Sequence, residues 1–196
     1  MVPLAAMNLS GVPNAITILR ILLVLPVVLA LLNEHYGVAL LLFGIAGASD
    51  GLDGYIAKRY HCASRLGSIL DPLADKLLLV STYLSLAWLG LLPLWLVVLV
   101  LARDLLIVVG GFTYHRWVGE YEMQPSYMSK LNTALQILLG FLVVLSMSLL
   151  PLPALVIDGM IYFVLVTTLW SGADYIWTWS RRAVAVRADK QTKQKR

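Results

Sequence analysis

Six stretches of about 20 apolar residues, divided by short polar breaks, most constrain what this chain can fold into. They run over residues 13–32, 37–58, 67–89, 93–116, 128–150 and 153–179. Each is long enough to cross a bilayer as a helix. The breaks have physical causes. Asn33 to Gly37 is a short polar turn, and Lys58 to Arg65 is a polar, basic loop. Gly90 to Pro93 holds both usual helix breakers, Gly119 to Ser126 is polar with Pro125, and Pro151 and Pro153 punctuate the last break. Composition agrees: 60% of the 196 residues are hydrophobic and 13% are charged. A soluble domain normally carries about 25% charged residues. The reading is an all-α integral membrane protein of six transmembrane helices.

The basic residues give that bundle a direction. Lys58, Arg59 and Arg65 lie in or beside the second loop, and Arg116 and Lys130 flank the fourth. Arg181, Arg182, Arg187, Lys190, Lys193, Lys195 and Arg196 form the tail, while the first, third and fifth loops have no Lys or Arg. The positive-inside rule places both termini in the cytoplasm. No linker divides the chain, so residues 1–182 are read as one membrane domain and 183–196 as a basic cytoplasmic tail. That tail either lies against anionic headgroups or is solvated. The net charge of +4 collects at membrane edges and in the tail, which argues against a nucleic-acid partner. The lone Cys62 excludes an internal disulfide. No basic residue precedes Arg20 and no small-residue cleavage site follows the first apolar run, so no cleaved signal peptide is expected.

The chemistry sits in Asp50-Gly51-Leu52-Asp53-Gly54-Tyr55-Ile56-Ala57-Lys58 and in Gly67-Ser68-Ile69-Leu70-Asp71-Pro72-Leu73-Ala74-Asp75. A carboxylate within a membrane helix costs a few kcal/mol, so it faces a wet cavity and has a task. Asp50 and Asp53 share one helix face, and Asp71 and Asp75 share another. Gly54, Ala57 and Gly67 lie on those faces and admit a backbone or ligand closely. The short loop makes the two helices antiparallel neighbours, so all four carboxylates meet near the cytoplasmic edge. Converging carboxylates repel unless cations hold them, and hard oxygen ligands favour Mg²⁺, Mn²⁺ or Ca²⁺. Such cations also take substrate phosphates, so a nucleotide or pyrophosphate is the natural partner. Two other readings stay open: a structural ion network with Lys58, Arg65, Lys76 and Arg103, and a cation or proton pathway.

These residues resemble the signature of the CDP-alcohol phosphatidyltransferases, D-x-x-D-G-x-x-A-R, eight residues, then G-x-x-x-D-x-x-x-D. Seven fixed positions recur over 26 residues, and Lys58 stands where the family usually has Arg. Lysine keeps the charge but not the bidentate fork. The resemblance implies a metal-dependent enzyme that moves a phosphatidyl group from CDP-diacylglycerol to an alcohol and releases CMP. It implies that Asp50, Asp53, Asp71 and Asp75 hold two Mg²⁺ or Mn²⁺ ions, with Asp75 also the general base. Gly54, Ala57 and Gly67 would line the cytidine pocket, and Lys58 would lie near the nucleotide phosphates.

The acceptor must be read from the second half. Arg103-Asp104 lies mid-span and is costly there unless the arginine meets an anion. Arg103 and Lys130 are read as an anion clamp for the acceptor, against a simple Arg103–Asp104 salt bridge and a snorkelling Lys130. Two cations favour a phosphate-bearing acceptor over free serine or choline: glycerol-3-phosphate, inositol phosphate or phosphatidylglycerol. The stretch Ser129-Lys130-Leu131-Asn132-Thr133-Ala134-Leu135-Gln136 resembles the cardiolipin synthase branch, with the phosphatidylglycerophosphate synthases close behind. Pro13-Asn14-Ala15-Ile16-Thr17-Ile18-Leu19-Arg20 fits both branches, and Asp174 has no role in this reading. A bacterial inner membrane is favoured over a mitochondrial one, with the active site at the cytoplasmic face. Gly110-Gly111 or Gly140 would permit the close helix contact of a homodimer. A non-enzymatic cation or proton carrier, and a structural partner that kept the site for stability, are the competing classes.

Overall fold

In a computed structural model, backbone is described for residues 11–60, 67–118 and 126–194, and side chains for 16–49, 70–110 and 126–178. The described residues form six helices and no strand. They are α1 Gly11–Leu32, α2 Tyr36–Tyr60, α3 Gly67–Trp88, α4 Leu94–Val118, α5 Tyr127–Ser148 and α6 Ala154–Gln194. Every end falls within two residues of the apolar stretches except the last. There α6 runs on as helix through most of the basic segment 183–196.

The helix ends follow local rules. Glu34 closes α1 at φ 59°. Its N–H bonds the Leu31 carbonyl at 2.9 Å, and the His35 N–H bonds that of Ala30 at 2.8 Å. This is the Schellman arrangement, which glycine usually serves. Gly90 closes α3 in the same way at φ 71°, with Leu91 N–H on the Leu86 carbonyl. At the start of α5, the Ser126 hydroxyl accepts from the Ser129 N–H at 3.2 Å, an N-cap that satisfies an otherwise orphaned donor.

The chain divides into two compact units. The first takes residues up to Leu92 together with Gly140–Pro153, and the second takes Pro93–Leu139 together with Ala154 onward. In the first, α1 packs on both α2 and α3. Its core holds Val27 and Leu31 of α1, Phe43 of α2, and Leu79, Tyr83 and Leu86 of α3. Ala30, Ala39, Ala46 and Ala74 are buried between these helices, where small side chains let the backbones approach. Gly140 belongs to this packing too. A side chain there would meet Tyr83 and Thr82 at 3.7 and 3.9 Å, so Gly140 serves contact within the chain. In the second unit, α4 packs on α6 around Leu96, Val97, Val100, Leu139 and Val164.

Large apolar side chains also face outward: Leu22, Leu25, Leu41, Leu105, Val108, Leu155, Phe163, Val166 and Trp170 are all exposed. Exposed apolar surface on this scale suits lipid better than water. Two described helical segments, Tyr127–Ser148 and Ala154–Thr178, are long and apolar enough to cross a membrane. Ile16–Leu32 and Tyr36–Ser49 are shorter apolar runs. Segment α3 is interrupted by Asp71, Asp75 and Lys76, and α4 by Arg103 and Asp104.

Candidate functional site

The first unit carries the described half of the carboxylate cluster. Asp71 and Asp75 are one turn apart on α3, separated by Ala74, which is fully buried against its neighbours. Burial of Ala74 sets the rotation of α3, so the two flanking aspartates turn towards the edge of its packing face. Asp75 keeps 47% of its side-chain surface exposed. Both carboxylates are met from α1. The Thr17 hydroxyl donates to Asp71 Oδ1, and Arg20 Nη1 donates to Asp75 Oδ1 at 2.6 Å. Thr17 and Arg20 are three apart and so share a face of α1, as the aspartates share a face of α3.

Arg20 is 1% exposed. A guanidinium buried at that depth in an apolar bundle would cost several kcal/mol without an anion. Its ion pair with Asp75 supplies one. Sequence reasoning quoted the segment containing Thr17 and Arg20 but gave neither a role. The available signal was a lone arginine inside an apolar helix, which demands a partner.

Of the other predicted residues, Asp50, Asp53, Gly54, Ala57 and Lys58 lie on the α2 helix and Gly67 begins α3. Their side chains are outside the described residues. Among the described residues no three acidic, histidine or cysteine side chains gather as a metal site. Asp71 and Asp75 nevertheless fit a hard cation by donor chemistry: two carboxylates one turn apart, partly open, in an otherwise apolar setting. Aspartate oxygens of this kind suit Mg²⁺ or Mn²⁺ and would not select zinc.

The second unit holds a different polar cluster. Arg103 of α4 is 6% exposed. Its Nη1 donates to Asp104 Oδ1 at 2.7 Å. Its Nη2 donates to Ser129 Oγ of α5 at 2.6 Å and to Ser171 Oγ of α6. Gly172 leaves room beside the arginine, whose Cγ lies 3.9 Å from where a side chain would begin. One turn along, Asn132 Oδ1 accepts from Thr167 at 2.8 Å and from Thr168 at 2.9 Å. Ser129, Asn132 and Gln136 are all buried, at the i, i+3, i+7 spacing of one helix face.

Lys130 therefore points elsewhere. It is exposed, with Nζ 5.8 Å from the centre of the Tyr127 ring. Arg103 meets Ser129 and Ser171, and the described contacts do not bring Lys130 to it. The Arg103–Asp104 pair weighed from sequence is present, but it occupies only one nitrogen of the guanidinium. Asp174 lines an open apolar groove of about 600 Å³ on α6 with Val166, Leu169, Trp170, Ala173 and Trp177.

The sequence is similar to those of known proteins. A family model described as CDP-alcohol phosphatidyltransferase matches residues 10–171. A protein named cardiolipin synthase (CMP-forming) from Rattus norvegicus is 35% identical over 144 residues, 65% of this chain and 48% of the relative. One of the same name from Streptomyces coelicolor is 42% identical over 99 residues, 50% of this chain and 45% of the relative. A probable phosphatidylglycerophosphate synthase from Mycobacterium tuberculosis is 33% identical over 175 residues, 86% of this chain and 81% of the relative. The chain spans about half the length of the cardiolipin synthases of Drosophila melanogaster, rat and human that it matches.

Proposed function

This chain belongs to the CDP-alcohol phosphatidyltransferase family, and from that premise we propose that it transfers a phosphatidyl group from CDP-diacylglycerol to the hydroxyl of an anionic acceptor, releasing CMP. The observation that carries the proposal is the α1–α3 arrangement, in which each α3 aspartate of the signature is held through one oxygen by an α1 side chain. Carboxylates fixed in this way are prepared to act on a phosphate-bearing substrate, because their positions are set before it arrives.

Asp75 is the general base in this reading. Its ion pair with Arg20 holds the carboxylate in position, where it takes the proton from the acceptor hydroxyl. The acceptor oxygen then forms a bond to the phosphorus that carries diacylglycerol, and the bond from that phosphorus to the CMP oxygen breaks. Asp50, Asp53, Asp71 and Asp75 would hold two Mg²⁺ or Mn²⁺ ions. When bound, such ions supply positive charge to the pyrophosphate and the departing CMP. Gly54, Ala57 and Gly67 would admit the cytidine, and Lys58 would attract its phosphates. Thr17 and Arg20 orient the α3 pair. Arg103 meets the acceptor's phosphate, and Lys130 contributes charge from outside the buried cluster.

The acceptor is phosphatidylglycerol, making the product cardiolipin. The similarity to cardiolipin synthases supports that choice. Glycerol-3-phosphate is the second reading, supported by similarity to a probable phosphatidylglycerophosphate synthase over most of both chains. All six helices span the membrane, with both termini and the carboxylates on the cytoplasmic side. A bacterial inner membrane is preferred to a mitochondrial one, and a homodimer fits the chain's apolar exterior. The test is CMP release by the purified protein in detergent with CDP-diacylglycerol and either metal, comparing phosphatidylglycerol, glycerol-3-phosphate and no acceptor. Turnover with an acceptor, lost in Asp75→Asn, is expected. Cation flux in liposomes without any cytidine nucleotide, and no CMP release, would replace this reading with a carrier.

A further inference from the structure

The α4–α5–α6 cluster leaves buried hydrogen-bond donors unused. Ser129 and Ser171 each accept from Arg103. Neither serine donates a bond among the described residues, so each hydroxyl hydrogen is available. Arg103 Nε and Asn132 Nδ2 are buried with no partner among the described residues. Asn132 itself is fully buried. Its orientation is set from α6, where the Thr167 and Thr168 hydroxyls donate to Asn132 Oδ1 at 2.8 and 2.9 Å. Those bonds set the carbonyl towards α6 and leave the NH₂ facing away from it. Ser129 and Asn132 are three residues apart on α5, and Thr168 and Ser171 three apart on α6, so the two sets of bonds lie about one turn, some 5 Å, from each other.

Unpartnered buried donors are costly, and an occupant that brings acceptors removes the cost. The charge in the cluster narrows the occupant. Arg103 is the cation, Asp104 binds it directly, and Ser129, Asn132 and Ser171 are neutral. A dianionic phosphomonoester would find little net charge to balance it here. A phosphodiester carries one negative charge on two non-bridging oxygens, which Arg103 Nε, the Asn132 amide and the two serine hydroxyls can meet.

We infer that Asn132 is a specificity-determining residue, a neutral donor set by Thr167 and Thr168 that selects a phosphodiester acceptor over a phosphomonoester. The inference rests on the reading that Arg103 receives the acceptor's phosphate.

The test uses the full chain in detergent and measures kcat and KM for CDP-diacylglycerol, phosphatidylglycerol and glycerol-3-phosphate. Asn132→Leu keeps the volume and removes the donor. It is expected to raise the KM for phosphatidylglycerol about tenfold and leave that for CDP-diacylglycerol unchanged. Thr167→Val combined with Thr168→Val should follow with a smaller rise, and Thr167→Ser combined with Thr168→Ser should restore the wild-type value. Asn132→Lys adds the missing charge and should move the ratio of kcat/KM towards glycerol-3-phosphate by about tenfold or more. Lower thermal stability in these variants with unchanged acceptor KM and unchanged acceptor ratio would overturn the inference, leaving the cluster as glue between helices. Arg103→Lys separates the two levels. If it raises acceptor KM while the Asn132 variants do not, the inference alone fails. If neither does, or if the wild-type chain turns over no acceptor, the underlying reading fails and the inference with it.

Discussion

The two polar clusters of this chain are built on opposite plans. In the first unit, Thr17 and Arg20 are donors brought to the carboxylates of Asp71 and Asp75, and the aspartates remain partly open. In the second, Arg103 is buried and bonded to the Asp104 carboxylate and to the Ser129 and Ser171 hydroxyls. The first concentrates oxygen acceptors and so suits cations. The second concentrates donors around one positive charge and so suits an anion. The proposed phosphatidyl transfer would draw on both, the first for the pyrophosphate and the second for a phosphate-bearing acceptor. The contrast teaches that charged residues in apolar helices are best sorted by what surrounds them, since each cluster contains an arginine paired to an aspartate.

Substitutions should separate the two plans by which kinetic constant they move. The largest effect is expected at Asp75. Asp75→Asn removes the proposed base and should lower kcat by about 10³-fold or more while the protein still elutes as folded material. A residual rate within tenfold of wild type would put the base elsewhere. Arg20→Met comes next. It leaves Asp75 without its partner and should cost roughly 2 kcal/mol of stability, less than a fully buried pair because Asp75 is half-exposed. Its kcat should drop with little change in acceptor KM, and Arg20→Lys should recover part of the loss. If Arg20→Met instead alters acceptor KM alone, the division of labour drawn here is wrong.

Arg103→Lys should behave in the reverse sense. A lysine cannot keep the bonds to Asp104, Ser129 and Ser171 together. Acceptor KM should rise about tenfold, with CDP-diacylglycerol KM retained. Two smaller changes lie outside both clusters and calibrate them. Ser126→Ala removes the α5 cap and should cost about 1 kcal/mol in thermal unfolding. Glu34→Gly should gain up to about 1 kcal/mol, since Glu34 holds a positive φ that glycine adopts without strain. Neither should move a kinetic constant, and a clear change in acceptor KM with either would mean that global stability dominates the kinetic readout.

Much of this molecule is legible locally. Apolar stretches and their Gly and Pro breaks mark all six helices, because helix formation and termination depend on neighbours a few residues apart. The pairing of Asp71 with Asp75 on one face follows from the helical repeat alone. The continuation of α6 into the basic segment 183–196 was not anticipated, since low hydropathy ends an apolar span without ending a helix.

What the sequence by itself determined, then, is where the helices lie, that four aspartates carry the family signature, and that Arg103 needs a polar partner. Only the tertiary structure decided which partners meet. Thr17 and Arg20 reach aspartates 54 and 55 residues away, a pairing no local period encodes. The structure likewise decided that α5 presents Ser129, Asn132 and Gln136 inward and Lys130 outward. Adjacent polar residues compete for one buried face, and a helix's rotation about its axis is settled by the packing of its neighbours.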